Sequence, residues 1–153
     1  MPLRSLALRV LCLLGLSVWM GGFTFYSAVV IPVLHESLGS LDTGFVTQQV
    51  TDYLNYIGVG VVLVWWVAAS VERREGTARV RAVRLLLLAA TTLILVGLIA
   101  LHRFMDGRLE TGGLRGFYPL HRAYLIASTV QWFVNLGLMT ALLVPSRLAE
   151  KGT

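Results

Sequence analysis

The chain has 153 residues, of which 56% are apolar and only 14% are charged. This balance excludes an ordinary water-soluble domain, because charges are absent from several long stretches whose natural solvent is lipid. The net charge of +5 does not indicate nucleic-acid binding, since the basic residues lie in short segments between apolar runs. The single cysteine, Cys12, excludes an intramolecular disulfide.

Four apolar segments follow one another along the chain, and each is long enough to cross a bilayer as a helix. A crossing takes about 20 residues at 1.5 Å each. Apolar and polar residues do not alternate along these segments, as they would along membrane-spanning β-strands. The predicted fold is therefore all-α, a four-helix transmembrane bundle with up-down-up-down topology. Residues 1–153 form a single integral membrane domain. Its spans are predicted at about residues 10–34, 53–71, 85–101 and 123–144.

The basic residues indicate how this bundle is oriented. Nine arginines and lysines lie in the N-terminal segment, the second loop and the C-terminal tail, whereas four lie in the third loop and none in the first. Cytoplasmic loops carry the excess of basic residues. The distribution therefore predicts that both termini lie in the cytoplasm.

Small residues recur along one face of the first span at spacings of 4, 3 and 4: Ser17, Gly21, Thr24 and Ala28. Small side chains allow helix backbones to approach closely, so helix packing is the favoured interpretation and a ligand stripe the alternative. Pro32 should bend the end of this helix, because proline cannot donate a hydrogen bond to the carbonyl of Ala28.

The two predicted outer connections differ in character. Residues 35–52 mix leucine, phenylalanine and valine with polar residues, which predicts a short helix lying in the membrane interface. The connection between the third and fourth spans contains four glycines and Pro119, which predicts an irregular loop.

Polar residues form a stripe along the fourth span, at spacings of 3, 4, 3 and 4: His121, Tyr124, Ser128, Gln131 and Asn135. On a helix they fall within an arc of roughly 80°. Polar groups are costly in lipid unless they are paired, so the stripe should face the other helices. Interhelical hydrogen bonding is the favoured explanation, and a ligand or ion site is the alternative.

The three histidines of the chain, His35, His102 and His121, all fall at the predicted outer face. They lie near Glu36, Asp52 and Asp106. Neutral imidazole is a common ligand of metals, including haem iron and copper. We expect no cofactor. Haem or copper held by these three histidines is the alternative, and the identity of any metal is left open.

Sequence signatures of catalysis are missing. The chain has no nucleophile with an adjacent base, no phosphate loop and no HExxH motif. The predicted spans also contain no pair of carboxylates that would support a proton relay. The sequence therefore predicts a protein that is not an enzyme.

Two parts of the chain resemble a known group. The stretches GGFTFYSAVVIPVL (residues 21–34), TGFVTQQVTDYLNYIG (residues 43–58) and FYPLHRAYLIASTVQWFVNL (residues 117–136) are similar to the small four-span membrane proteins of the transmembrane protein 205 type. In that group a histidine opens the last span and an asparagine lies deeper, here His121 and Asn135. A more distant similarity is to the membrane domain of copper resistance protein D. The resemblance implies four spans and supplies no function.

Two functional classes follow. The favoured one is a structural or accessory subunit of a larger assembly in the bacterial inner membrane, in contact with lipid and with other subunits or a second copy of itself. The alternative is a haem, copper or small-ligand binding or transport protein with a site near the outer face. A ligand-sized cavity along the polar stripe would favour the second class. A stripe closed by the chain's own helices, with small residues on the lipid-facing side, would favour the first.

Overall fold

The computed structural model describes residues 3–38, 40–71, 77–110 and 117–143, and these ranges are almost entirely helical. Helix α1 (Leu3–Phe25) leads through a π-helical turn (Tyr26–Val30) into α2 (Ile31–Leu38), and three long helices follow: α3 (Ser40–Val71), α4 (Ala78–Glu110) and α5 (Phe117–Leu143). Four segments are long and apolar enough to cross a membrane: Leu3–Leu38, Val46–Val71, Ala78–Arg108 and Pro119–Leu143. The predicted all-α bundle of four spans is confirmed.

Successive spans pack antiparallel to one another. Near the start of α1, the carbonyl of Cys12 accepts a hydrogen bond from the indole of Trp65 in the second half of α3, at 3.2 Å. Past the end of α1, the hydroxyl of Tyr26 donates to the carbonyl of Thr47, early in α3, at 2.9 Å. Helix α3 also packs against α4, and α4 and α5 have the most extensive contact. The first and last described residues consequently lie at the same end of the bundle.

The two ends of the bundle differ in their titratable side chains. The basic end, where the described chain begins and finishes, carries Arg4, Arg9, Arg79, Arg81 and Arg84. The opposite end, called the histidine end below, carries His35, His102 and His121. That the basic end faces the cytoplasm stays a prediction from the positive-inside rule.

Pro32 changes the geometry of the helix that precedes it. Because proline has no N–H, it cannot donate to the carbonyl of Ala28, and the turn before it widens. The N–H of Ile31 bonds to the carbonyl of Tyr26, five residues back. The local distortion expected at Pro32 therefore takes the form of a π-helical turn.

The prediction for the first outer connection is wrong, and the prediction for the last connection is wrong at its two ends. Residues 35–52 do not form a separate interfacial helix, because α3 begins at Ser40 and continues without a break through the second span. The last connection is shorter than predicted, since α4 runs through Gly107 to Glu110 and α5 begins at Phe117. Residues 111–116, with the other three glycines of that connection, lie outside the described residues. The 33 residues of α4 rise about 50 Å, so its ends extend past a hydrocarbon core of about 30 Å.

The core of the bundle includes a close contact between α1 and α3. The indole of Trp19 lies against the bare backbone of Gly58, where a Cβ atom would come 2.9 Å from the indole nitrogen. Both residues are buried. Aliphatic side chains of α1, α4 and α5 complete this part of the core: Leu16, Leu88 and Leu138.

Candidate functional site

The polar stripe of α5 faces the interior of the bundle. Tyr124, Ser128, Gln131 and Asn135 are all buried, as their spacing on one helical face predicts. His121, at the start of the same stripe, is exposed at the histidine end. The buried part of the stripe therefore consists of four residues and extends from the histidine end to the middle of the membrane span.

Thr91 of α4 is the polar partner of this stripe. Its hydroxyl donates a hydrogen bond to Oδ1 of Asn135 at 3.1 Å, and its carbonyl accepts one from Nε2 of Gln131 at 3.1 Å. Thr91 is completely buried. Thr91 was not predicted from the sequence, although a threonine inside the most apolar run of the chain is itself a signal of an interhelical contact.

Substituting Thr91→Val should destabilise the α4–α5 pair. Valine keeps the shape of the side chain but removes the hydroxyl that donates to Asn135, and interhelical hydrogen bonds in membranes contribute about 0.6 to 1.7 kcal/mol. Thermal unfolding in detergent measures the loss of stability. Thr140→Val is the matched control, because the exposed hydroxyl of Thr140 bonds only to the carbonyl of Leu136 in its own helix. Equal unfolding temperatures for the two variants would contradict this account of the stripe.

His102 lies between two carboxylates at the histidine end. Its Nε2 atom is 3.6 Å from Oδ1 of Asp52 on α3 and 3.7 Å from Oδ2 of Asp106, one turn further along α4. The ring of His102 also packs against the ring of Tyr124, with the centroids 5.9 Å apart. Only 6% of His102 is exposed, so three helices enclose a histidine that faces two acidic side chains.

A fourth charged residue extends this cluster towards the surface. A terminal nitrogen of Arg103 lies 3.7 Å from Oδ1 of Asp52 and donates a hydrogen bond to the hydroxyl of Tyr56 at 2.9 Å. Asp52 and Asp106 lie just outside the predicted spans of residues 53–71 and 85–101, within longer helical segments that could cross the membrane, and they flank the same imidazole.

The other two histidines occupy different environments from His102. His35, in α2, and His121, in α5, are both exposed. Among the described residues, no group of three or more His, Cys, Asp or Glu side chains is arranged to hold a metal ion. The structure therefore places the three histidines at one end without assembling them into a metal centre.

Several buried polar atoms of the site lack a hydrogen-bond partner within the described ranges: Asn55 Nδ2, His102 Nε2, Tyr124 OH and Gln131 Oε1. Asn55 and Gln131 also line a cavity of about 30 Å³ beside Ser128 and Asn135. Such a volume accommodates one or two water molecules, which can bridge an amide donor and an amide acceptor. Pockets for drug-sized ligands begin at about 300 Å³, so this cavity is much smaller than such a pocket.

The small-residue face of α1 does not pack against the polar stripe. Ser17, Gly21, Thr24 and Ala28 are all exposed, so helix packing through this face stays a prediction. The hydroxyl of Thr24 accepts a 3.3 Å hydrogen bond from the indole of Trp132 on α5.

Other glycines provide the close helix contacts. A Cβ at Gly15 would lie 3.3 Å from Val61, and Gly58 packs against Trp19. Neither glycine was predicted from the sequence to lie at a helix contact.

The fold and the site together define a class of protein: a four-span α-helical membrane protein with buried polar side chains in its interior. The chain belongs to the family described as domain of unknown function (DUF4149), whose model matches residues 14–110. The matched part includes Asp52, His102 and Asp106 and ends before α5. No curated protein and no solved structure matches the chain. The similarities to the transmembrane protein 205 type and to copper resistance protein D stay predictions.

Proposed function

We propose that this chain is a non-enzymatic accessory subunit of a larger assembly in the bacterial inner membrane, with both termini in the cytoplasm. The observation that carries the proposal is the contrast between two faces. The polar stripe of α5 is closed by the chain's own helices around a cavity of about 30 Å³, which leaves no room for a transported solute. The small-residue face of α1 points away from the bundle.

The small-residue face suits contact with another transmembrane helix. Lipid chains are as apolar as leucine, so helices associate in membranes through close backbone packing and hydrogen bonds rather than through the hydrophobic effect. The pairs Ser17/Gly21 and Thr24/Ala28 each have the four-residue spacing of such contacts. A Cβ at Gly21 would meet no atom within 4 Å, so this position is open for the backbone of a neighbouring subunit.

The substitution Gly21→Leu tests the proposal. We expect the variant to fold, since a Cβ at this exposed position would meet no atom within 4 Å, and to lose the subunit that copurifies with the wild-type protein from native membranes. Gly97→Leu is the matched control, because Gly97 is also exposed and a Cβ there would meet no atom within 4 Å. Loss of the same partner from both variants, or from neither, would contradict the proposal.

The binding alternative retains one supporting observation, the buried Nε2 of His102 facing two carboxylates. It is tested by an absorption spectrum and metal analysis of gently purified protein. A Soret band or stoichiometric copper that is lost in His102→Ala and kept in His35→Ala would replace the accessory role with a cofactor site. Protein without either signal would leave the accessory role as the better explanation.

A further inference from the structure

The cluster around His102 has a property that the proposed function does not use. Only 6% of His102 is exposed, yet its Nε2 atom has no hydrogen-bond partner within the described ranges. Oxygens of Asp52 and Asp106 lie 3.6 and 3.7 Å from this nitrogen, farther than the usual N–H···O distance of about 2.7 to 3.2 Å. A buried polar atom without a partner costs stability. A positive charge on the ring would therefore strengthen two contacts that are already in place.

The side chains around this imidazole favour such a charge. Asp52 of α3 and Asp106 of α4 face its Nε2 atom, and Arg103 of α4 lies 3.7 Å from Asp52 on the exposed side. Tyr124 of α5 packs against the ring, and Tyr26 of the π-helical turn interacts electrostatically with Tyr124. Further titratable side chains at this end are exposed: His35, Glu36, Tyr53, Tyr56, Arg108, His121 and Arg122. Because the carboxylates that face the ring outnumber the guanidinium, and tyrosines are uncharged below about pH 10, an imidazolium here is attracted more than it is repelled.

Water can reach this cluster from the histidine end. The side chain of Asp52 is 28% exposed and that of Asp106 is 13% exposed. Deeper in the bundle, the buried polar side chains continue as far as Thr91 and Asn135. Beyond these two residues, towards the basic end, fully buried leucines of three helices close the core: Leu16, Leu88 and Leu138. Close-packed apolar side chains exclude water, so a proton that enters from the histidine end must leave by the same route.

We propose that His102, Asp52 and Asp106 form a proton-binding site that exchanges with one side of the membrane. At low pH the neutral ring accepts a proton from hydronium in the water at the histidine end, one N–H bond forms, and the imidazolium then has a donor on each nitrogen. The charged ring attracts both carboxylates and ties α3 to α4. At higher pH the proton returns to water, so this contribution to stability is present at low pH and is lost as the pH rises.

Thermal unfolding at a series of pH values tests the site, in detergent with a metal chelator present. As the pH falls from about 8 to 5.5, the range in which histidines titrate, the unfolding temperature should rise by about 2 to 4 °C. His102→Gln should lose this rise, because an amide keeps a donor but takes up no proton in this range. His35→Gln is the matched control, since it removes an exposed histidine from the same end. A rise that persists in His102→Gln would overturn the proposal.

A direct titration of the imidazole tests the proposal without any substitution of His102. The chain has three histidines, so the double variant His35→Gln/His121→Gln leaves His102 as the single signal in NMR spectra of protein with isotope-labelled histidine. Adding Asp106→Asn should move the midpoint of the titration to lower pH by about one unit, whereas Glu36→Gln, which neutralises an exposed carboxylate at the same end, should leave it in place. Equal midpoints in the two variants, or an imidazole that stays neutral down to about pH 5.5, would overturn the proposal.

Sealed proteoliposomes that contain a pH-sensitive dye test whether the site exchanges with one side only. After a pH jump outside, the interior pH should change no faster than in liposomes without protein. A faster change that is lost in His102→Gln would overturn the one-sided site, because it would show a proton path through the whole bundle.

Discussion

Gly58→Ala should lower the unfolding temperature of the purified protein more than any other single-methyl addition to α3. The new Cβ would overlap the indole of Trp19, coming 2.9 Å from its nitrogen. Both partners are buried in the core between α1 and α3, so neither can move without disturbing neighbouring side chains. Overpacking of this kind costs about 1 to 3 kcal/mol, which outweighs the gain of roughly 0.5 to 1 kcal/mol that alanine brings to a helix.

Gly60→Ala is the control for this substitution. Gly60 lies two residues further along α3, is exposed, and a Cβ there would meet no atom within 4 Å. The helix propensity of alanine should therefore leave the unfolding temperature unchanged or raise it. Thermal unfolding followed by circular dichroism in detergent compares the two variants. A Gly58→Ala protein as stable as Gly60→Ala would mean that Trp19 does not pack on α3 as described.

His102→Leu should be the second strongly destabilising change. The imidazole faces Asp52 and Asp106 from within the bundle, at 3.6 and 3.7 Å, and leucine would leave both carboxylates without this neighbour. Breaking a fully buried ion pair costs roughly 3 to 5 kcal/mol. Here we expect a loss of stability of about 1 to 3 kcal/mol, because the side chain of Asp52 is 28% exposed and water screens its charge.

A second substitution separates this electrostatic effect from simple loss of packing. In the His102→Leu background, Asp106→Asn removes one of the two like charges and should restore part of the lost stability, with a coupling energy of about 0.5 to 3 kcal/mol. His35→Leu changes an exposed histidine at the same end and should alter stability by less than about 0.5 kcal/mol. Additive effects of the two changes would contradict a direct interaction between His102 and Asp106.

The spans and the buried stripe of α5 could be predicted from the sequence because each depends on one helix at a time. Lipid excludes charges over about 20 residues, and a polar face inside an apolar helix must be covered by other helices. The spacing of Tyr124, Ser128, Gln131 and Asn135 carries that information locally. The partner of the stripe, Thr91, depends on how α4 is rotated and shifted against α5, which local spacing does not specify.

Whether a glycine packs inside the bundle or lies on its outside could not be predicted either, for the same reason. Gly21 and Gly58 look alike in the sequence, yet Gly21 is open to the outside and Gly58 lies under Trp19. Small residues suit contact within the chain and contact with a partner equally well. The distinction depends on the register between α1 and α3.

The acidic partners of His102 were predictable only in part. Asp106 lies four residues away on the same helix, a spacing that places the two side chains on one face. Asp52 is 50 positions earlier in the chain, and it meets His102 only because α3 and α4 extend beyond the apolar runs at the histidine end. The boundaries of those helices were the weakest part of the prediction.

The most direct test of the accessory role is photo-crosslinking in the native membrane. A photoreactive residue replaces Ser17 on the small-residue face, and the same residue replaces Leu93, 73% exposed on α4, as the control. We expect an adduct of one defined mass, corresponding to this chain plus a different membrane protein, from position 17 only, and its loss when Gly21→Leu is added. Lipid adducts alone at both positions, or an adduct with a second copy of this chain, would contradict the proposed role as an accessory subunit.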